Sequence, residues 1–236
     1  MTNKNKEKID NIEEDMDQFE NVGGSANDKE KVPLSFLVQW PVIQLGNTLS
    51  NMVSGYKKLF KMRPSDLKSM YLKQAKAMNQ KGNITQCINF LEQIVIIDNK
   101  DYDIIYKLGV AYEKDNQNKR AARAYQRVIT LKPDFAKAHY RKALLLIRNK
   151  EYADALTALE KAVELEPDSA EIHFRLGQTN DRLKKYQKAI DCFNKAVEIN
   201  PEFLAVYKNM ALTYDSMDNH KESLRCLKYA LDIEEF

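Results

Sequence analysis

Pro133, Pro167 and Pro201 stand 34 residues apart, and each closes a similar phrase: AYQRVITLKP, ALEKAVELEP and CFNKAVEINP. Two further copies lack the proline, FLEQIVIIDN ending at Asn99 and CLKYALDIEE ending at Glu235. A fixed period of this length constrains the fold more than any other feature of the chain. A single short unit cannot bury its apolar face alone, so successive units must stack, and three or more suffice for stability. Five units follow when the closing residue is counted as position 32: 68–101, 102–135, 136–169, 170–203 and 204–236.

The residue types at equivalent positions carry the packing. Position 8 reads Ala75, Gly109, Ala143, Gly177, Ala211, and position 20 reads Cys87, Ala121, Ala155, Ala189, Ser223. Both stay small, as two closely passing helix backbones require. Position 24 is bulky: Leu91, Tyr125, Leu159, Phe193, Leu227. These side chains fill the space that the small ones leave. Apolar spacing within each unit is near 3.6, so each holds two helices. The proline begins the next unit because it cannot continue a helix. The corner inside each pair wants a left-handed residue; Gly82 and Asn116 suit it, Lys150, Lys184 and Asp218 less so.

On these residues the chain resembles the tetratricopeptide-repeat family. The resemblance rests on Leu-Gly at 108–109 and 176–177, Tyr112, Tyr214, the alanines 121, 155 and 189, Tyr152, Tyr186 and the three prolines. The tryptophan usual at position 4 is replaced by Tyr71, Ile105, His139, His173 and Tyr207. The expected fold is all-α: a right-handed α-superhelix, or solenoid, of five such helix pairs, preceded by an amphipathic helix.

Chemistry is harder to find. No G-x-S-x-G, H-E-x-x-H or phosphate-cradling glycine loop occurs. His139 and His173 share a repeat position, and no further ligands stand at metal-site spacing. They read as packing residues. Cys87, Cys192 and Cys226 contain no C-x-x-C and read as reduced structural thiols. The expectation is a protein with no enzymatic activity, no cofactor and no metal.

The resemblance implies that positions 2, 5, 6, 9, 12 and 13 of each first helix line a concave groove. Three aromatic residues, Tyr106, Tyr140 and Phe174, would stand there beside Lys107, Arg141 and Arg175 at position 6. Lys114, Arg148 and Arg182 follow at position 13, and Lys137 at position 2. Such a surface can bury an apolar anchor and pair acidic groups with arginine forks. Glu113, Asp181 and Asp215 partly neutralise it. Lys137 and Arg141 resemble half of the clamp with which chaperone-binding repeats hold a terminal carboxylate, but the clamp's asparagines are absent. The expected ligands are protein segments, acidic or apolar-anchored. Net charge is +3 overall, with residues 1–31 at −4 and the remainder at +7, far from a nucleic-acid footprint.

Ahead of the repeats, residues 1–31 read as a disordered charged tail, acidic at EEDMDQFE. Nothing there resembles a secretory signal. Residues 32–67 form an apolar segment in which Leu45, Leu49, Met52, Tyr56 and Leu59, widened by Val42, Val53 and Phe60, make one helical seam over about 42–61. Three readings are open: a degenerate repeat capping the first unit, a helix that docks into another molecule's groove, or one that lies on a membrane surface. Lys57, Lys58 and Lys61 contribute only about 1 kcal/mol each near an anionic bilayer. Membrane association is therefore expected through partner proteins.

NMVSGYKKLF, SDLKSMYLKQ and LEQIV, with HFRLGQTNDRLKKYQKAIDCF and ALTYDSMDNHKESL, resemble the repeat scaffolds associated with magnetosomes. That resemblance implies a cytoplasmic, self-assembling homo-oligomer, peripheral on the magnetosome membrane, in which the seam of one protomer enters the next protomer's groove. The other expectation is a monomeric repeat adaptor, co-chaperone-like, that recruits an acidic or C-terminal peptide to another assembly.

Overall fold

A computed structural model of the chain describes residues 63–234. The chain divides into two units, Met1–Phe60 and Lys61–Phe236, and the described residues belong to the second. The seam at 42–61 and the tail at 1–31 therefore lie outside the described residues.

Among the described residues there are ten helices and no strand. In chain order they are α1 (Pro64–Gln80), α2 (Ile84–Ile97), α3 (Tyr102–Lys114), α4 (Asn118–Leu131), α5 (Ala136–Arg148), α6 (Tyr152–Leu165), α7 (Ala170–Arg182), α8 (Tyr186–Ile199), α9 (Leu204–Asp215) and α10 (His220–Glu234). Each packs on its neighbours in chain order, and α7 also touches α9. This is an α-solenoid of helix pairs. The first helix begins at Pro64, four residues ahead of Lys68, because a proline fits the first turn of a helix, where its missing N–H has no intrahelical acceptor.

The corner of every pair is built alike. Gly82, Asn116, Lys150, Lys184 and Asp218 all take positive φ, between 57° and 74°. The residue after each donates its N–H to a carbonyl five residues back: Asn83 to Met78, Gln117 to Tyr112, Glu151 to Leu146, Lys185 to Asn180 and Asn219 to Tyr214. This is the left-handed closure that satisfies the last carbonyls of a helix and turns the chain sharply back. Position in the repeat thus overrides residue preference, and two lysines and an aspartate accept the strained conformation.

Between the paired helices, small and large residues interlock. Tyr125 and Phe193 are fully buried against Gly109 and Gly177. Ala143 and Leu159 share one buried cluster. Where position 24 is aromatic, position 8 is glycine; where it is leucine, position 8 is alanine. His139 and His173 donate through Nε2 to the carbonyls of Pro133 and Pro167, at 2.9 and 2.8 Å. Each histidine therefore ties the start of its pair to the proline that closes the unit before.

Candidate functional site

The candidate surface is the face of α3, α5, α7 and α9 that carries positions 2, 5, 6, 9, 12 and 13. Side chains on it meet partners roughly one repeat away. The Tyr106 hydroxyl lies against Arg141, and the Tyr140 hydroxyl lies against Arg175, the same pairing one unit on. Tyr140 also donates to Glu171 Oε1 at 3.1 Å, and Arg175 Nε reaches the same oxygen at 2.8 Å. Burial and the Glu171 carboxylate push the Tyr140 hydroxyl above its ordinary pKa.

A second cluster centres on Glu113, which is 8% exposed. Its carboxylate accepts from the Tyr125 hydroxyl at 2.5 Å and from Arg148 Nη2 at 3.2 Å, and Arg141 Nη1 lies at 3.6 Å. A carboxylate withdrawn from water needs such partners, because charge-assisted bonds replace its hydration. Burial and Glu113 together drive the Tyr125 hydroxyl well above the usual tyrosine range.

These contacts change the electrostatics expected of the groove. Arg141 and Arg148 are committed to Glu113, Arg175 to Glu171, and Lys107 to Asp103. Lys114 Nζ donates to Asn79 Oδ1 at 3.0 Å. Among the described residues only Lys137 and Arg182, of the eight groove residues other than Tyr106 and Phe174, show no hydrogen-bond or charge partner. Phe174 departs from expectation. It is 4% exposed and packs against Phe193 and Phe203, with ring centroids 6.0 and 5.0 Å apart. Its ring belongs to the core between α7, α8 and the start of α9 and is closed to a ligand. Tyr106 is half-buried, held against Tyr125 and Phe135, so only part of the aromatic column faces outward.

A concavity of about 230 Å³ opens on this face. Its lining comes from α5, α7 and α9 with Tyr152 at the start of α6: Ile147, Gln178, Thr179, Asp181, Arg182, Asn209 and Leu212. Gln178 donates to Asn209 Oδ1 at 3.1 Å, and Thr213 donates to Asp181 at 2.9 Å, so the wall is braced across the unit boundary. The volume is below the usual range for small-molecule sites, about 300–1,000 Å³. It suits one or two side chains of a bound segment. Of the groove residues that the sequence pattern marks, only Arg182 lines it. Gln178, Asn209 and Leu212 escape that pattern because they are neither aromatic nor basic, although positions 6 and 9 place all three on the expected face.

Among the described residues no three or more His, Cys, Asp or Glu side chains come together to hold a metal. Cys87 and Cys226 are buried, and burial with the Asp191 charge pushes the Cys192 thiol up to about 11. Among the described residues no helix is long and apolar enough to cross a membrane. The seam residues Leu45, Leu49, Met52, Val53, Tyr56, Leu59 and Phe60 lie outside the described residues.

Paired helices joined by left-handed corners, small residues interlocked with bulky ones and an open first-helix face define the class: an α-solenoid of tetratricopeptide-like helix pairs. A tetratricopeptide-repeat family model matches residues 106–164 and 143–202. Among solved structures the chain resembles MamA. One crystal structure of MamA is 24% identical, covers 68% of this chain and 94% of its own, and superposes with a TM-score of 0.66. MamA from Desulfovibrio magneticus RS-1, from residue 41 to the end, is 24% identical over 72% of this chain and 96% of its own, with a TM-score of 0.69. MamA of strain MSR-1 is 28% identical over 71% of this chain and 97% of its own, with a TM-score of 0.63. No curated protein sequence matches the chain significantly. The fold is that of a protein-interaction scaffold.

Proposed function

We propose that the chain is a non-enzymatic scaffold that binds protein segments on the first-helix face and uses this to assemble with copies of itself. The observation that carries the reading is the side-chain-sized concavity spanning α5, α7 and α9, with apolar Ile147 and Leu212, amide-bearing Gln178 and Asn209, and Arg182, which has no charge partner among the described residues. An apolar anchor fits between Ile147 and Leu212, amides can bond the segment's backbone, and Arg182 and Lys137 favour an acidic neighbour in it. The seam at 42–61 is the segment proposed to connect one copy to the next. A contact of that kind is head-to-tail and yields open assemblies unless the rotation closes a ring. The likeness to MamA supports a cytoplasmic location, peripheral on the magnetosome membrane and reached through partner proteins.

Lys137→Glu with Arg182→Glu tests the face without touching a buried pair. The full chain is expected to form large species by light scattering, and the double variant to form smaller ones at the same concentration with an unchanged helical circular-dichroism spectrum. Deleting residues 1–62 is expected to have the same effect on size. Equal assembly by both variants would remove the groove and the seam from the assembly mechanism, whereas a full chain that stays monomeric would favour the adaptor reading of the face.

A further inference from the structure

The fifth helix pair presents an apolar row that every earlier pair hides. In the fourth unit Ile190, Phe193 and Val197 occupy positions 21, 24 and 28, and they share a cluster with Phe203, the last residue of that unit, and with Val206 and Met210 of the next. In the fifth unit the same positions are Leu224, Leu227 and Leu231, and these are 67%, 42% and 57% exposed. Phe193, the equivalent of Leu227, is 0% exposed. Here α10 keeps leucines at a spacing of three and four, the pattern of a helix-pairing seam.

The charges beside that seam say what covers it. Lys221, Arg225, Lys228 and Asp232 follow one another at spacings of four, three and four, so they form a single row along the flank of the leucines. The row is basic at its beginning and acidic at its end. Lys221, Lys228 and Asp232 are exposed and make no ion pair among the described residues, while Arg225 reaches Glu222 at 3.5 Å. In a parallel two-fold pair the two rows would lie on opposite flanks of the seam and never meet. An antiparallel one sets Leu224 against Leu231, places Leu227 by the two-fold axis, and brings Asp232 between Lys221 and Arg225 of the other copy. Symmetry makes this contact twice. Lys228 falls near the axis and is long enough to carry its charge out to solvent.

We propose that α10 is an isologous interface: a second copy of this chain docks its own α10 antiparallel on Leu224, Leu227 and Leu231, in a two-fold dimer. This contact is separate from the first-helix face and does not depend on it. It closes on itself, so where the groove also joins copies, it cross-links head-to-tail assemblies tail to tail.

The test uses the full chain carrying Leu224→Cys and Leu231→Cys. Mild oxidation followed by peptide mass mapping is expected to find a disulfide between position 224 of one copy and position 231 of the other. The same product is expected in the Lys137→Glu, Arg182→Glu background, so failure of the groove and failure of this interface are told apart. Asp232→Lys is expected to weaken dimerisation at least tenfold by sedimentation equilibrium, and Lys221→Asp added to it to recover most of the loss. Leu224→Glu with Leu231→Glu is expected to abolish the contact without altering helicity, since neither side chain is in the core. No 224–231 cross-link would overturn the proposal, as would a dimer indifferent to the leucine pair.

Discussion

The ring of Phe193 lies where a side chain on Gly177 would have to be: a Cβ there would fall 2.5 Å from Cε1 and 2.6 Å from Cδ1. Tyr125 and Gly109 repeat the relationship, with the nearest ring carbon at 2.7 Å. The ring cannot swing out, because both aromatics are fully buried. Alanine at Gly177 gains about 1 kcal/mol of helix propensity, but overpacking costs about 1–3 kcal/mol. Gly177→Ala is therefore expected to destabilise by about 1 kcal/mol by urea denaturation. Adding Phe193→Leu recreates the Ala–Leu pairing of positions 143 and 159, so the double variant should be more stable than the sum of the single changes. Strict additivity would mean the two sites do not share this space.

Glu113 gathers the Tyr125 hydroxyl and two arginines around one buried carboxylate. Glu113→Ala leaves the Tyr125 hydroxyl unpartnered in the core, and the expected loss is about 2 kcal/mol, within the range for hydrogen bonds to charged groups. Glu113→Gln keeps an acceptor for Tyr125 and should lose roughly half as much. If both variants unfold at the wild-type urea midpoint, the cluster contributes nothing to stability.

Lys184 stands at a helix corner with φ of 58°. A residue with a Cβ in this region is strained by roughly 1–2 kcal/mol, and glycine removes that strain while adding freedom to the unfolded chain. Lys184→Gly is expected to stabilise by about 0.5 kcal/mol, raising the thermal midpoint by about a degree or two. A lowered midpoint would show that the lysine side chain makes a contact worth more than the strain.

Lys68 bridges Asp98 at 2.6 Å and Asp101 at 2.7 Å. Burial opposes the Asp101 charge, yet Lys68 and the N–H groups of Ile104 and Asp103 hold its carboxyl below the usual value. Stability from a lowered carboxyl pKa is present above the unfolded value, about 3.9, and is lost as pH falls through the folded one. The Lys68 ammonium is raised by hydrogen bonds with Asp101 and Asp98, so its share is present below about 10.4 and lost as pH rises through the folded value. Asp101→Asn keeps a side-chain cap for α3 but removes the charge. It is expected to cost about 0.5–1 kcal/mol at about pH 7 and to flatten the fall in stability below about pH 4. Urea titrations at about pH 3, 5 and 7 check both, since they bracket the carboxyl range; an unchanged acid slope would rule out the pair as its source.

Much of the fold is legible in the residues alone, and particular positions show why. Gly82, Asn116, Lys150, Lys184 and Asp218 are marked as corners by their place in the period, and all five take the left-handed conformation. The small positions 8 and 20 and the bulky position 24 foretell which side chains interlock. Phe174 escapes this reading, because the same helical spacing that puts position 5 on the open face also leaves a large ring able to turn inward onto Phe193 and Phe203. The free cations are over-counted for a different reason: Arg141, Arg148 and Arg175 stand in the expected columns, but Glu113 and Glu171, at positions 12 and 2 of the same face, hold them, and spacing alone does not say which carboxylate takes which arginine.

The sequence by itself determined the unit, its two helices and its corners, because these depend on backbone preferences and on contacts within one helix pair that recur with every copy. Tertiary structure alone decided which charges remain unpaired, that Gln178, Asn209 and Leu212 join Arg182 around one concavity, and that Leu224, Leu227 and Leu231 stay exposed. Those outcomes depend on side-chain partners about a repeat apart and on which helix faces find a neighbour. Apart from the pairs four residues apart, Lys107–Asp103 and Arg175–Glu171, neither is set by local spacing, since a bridge between units or a covering helix exists only once two units have docked.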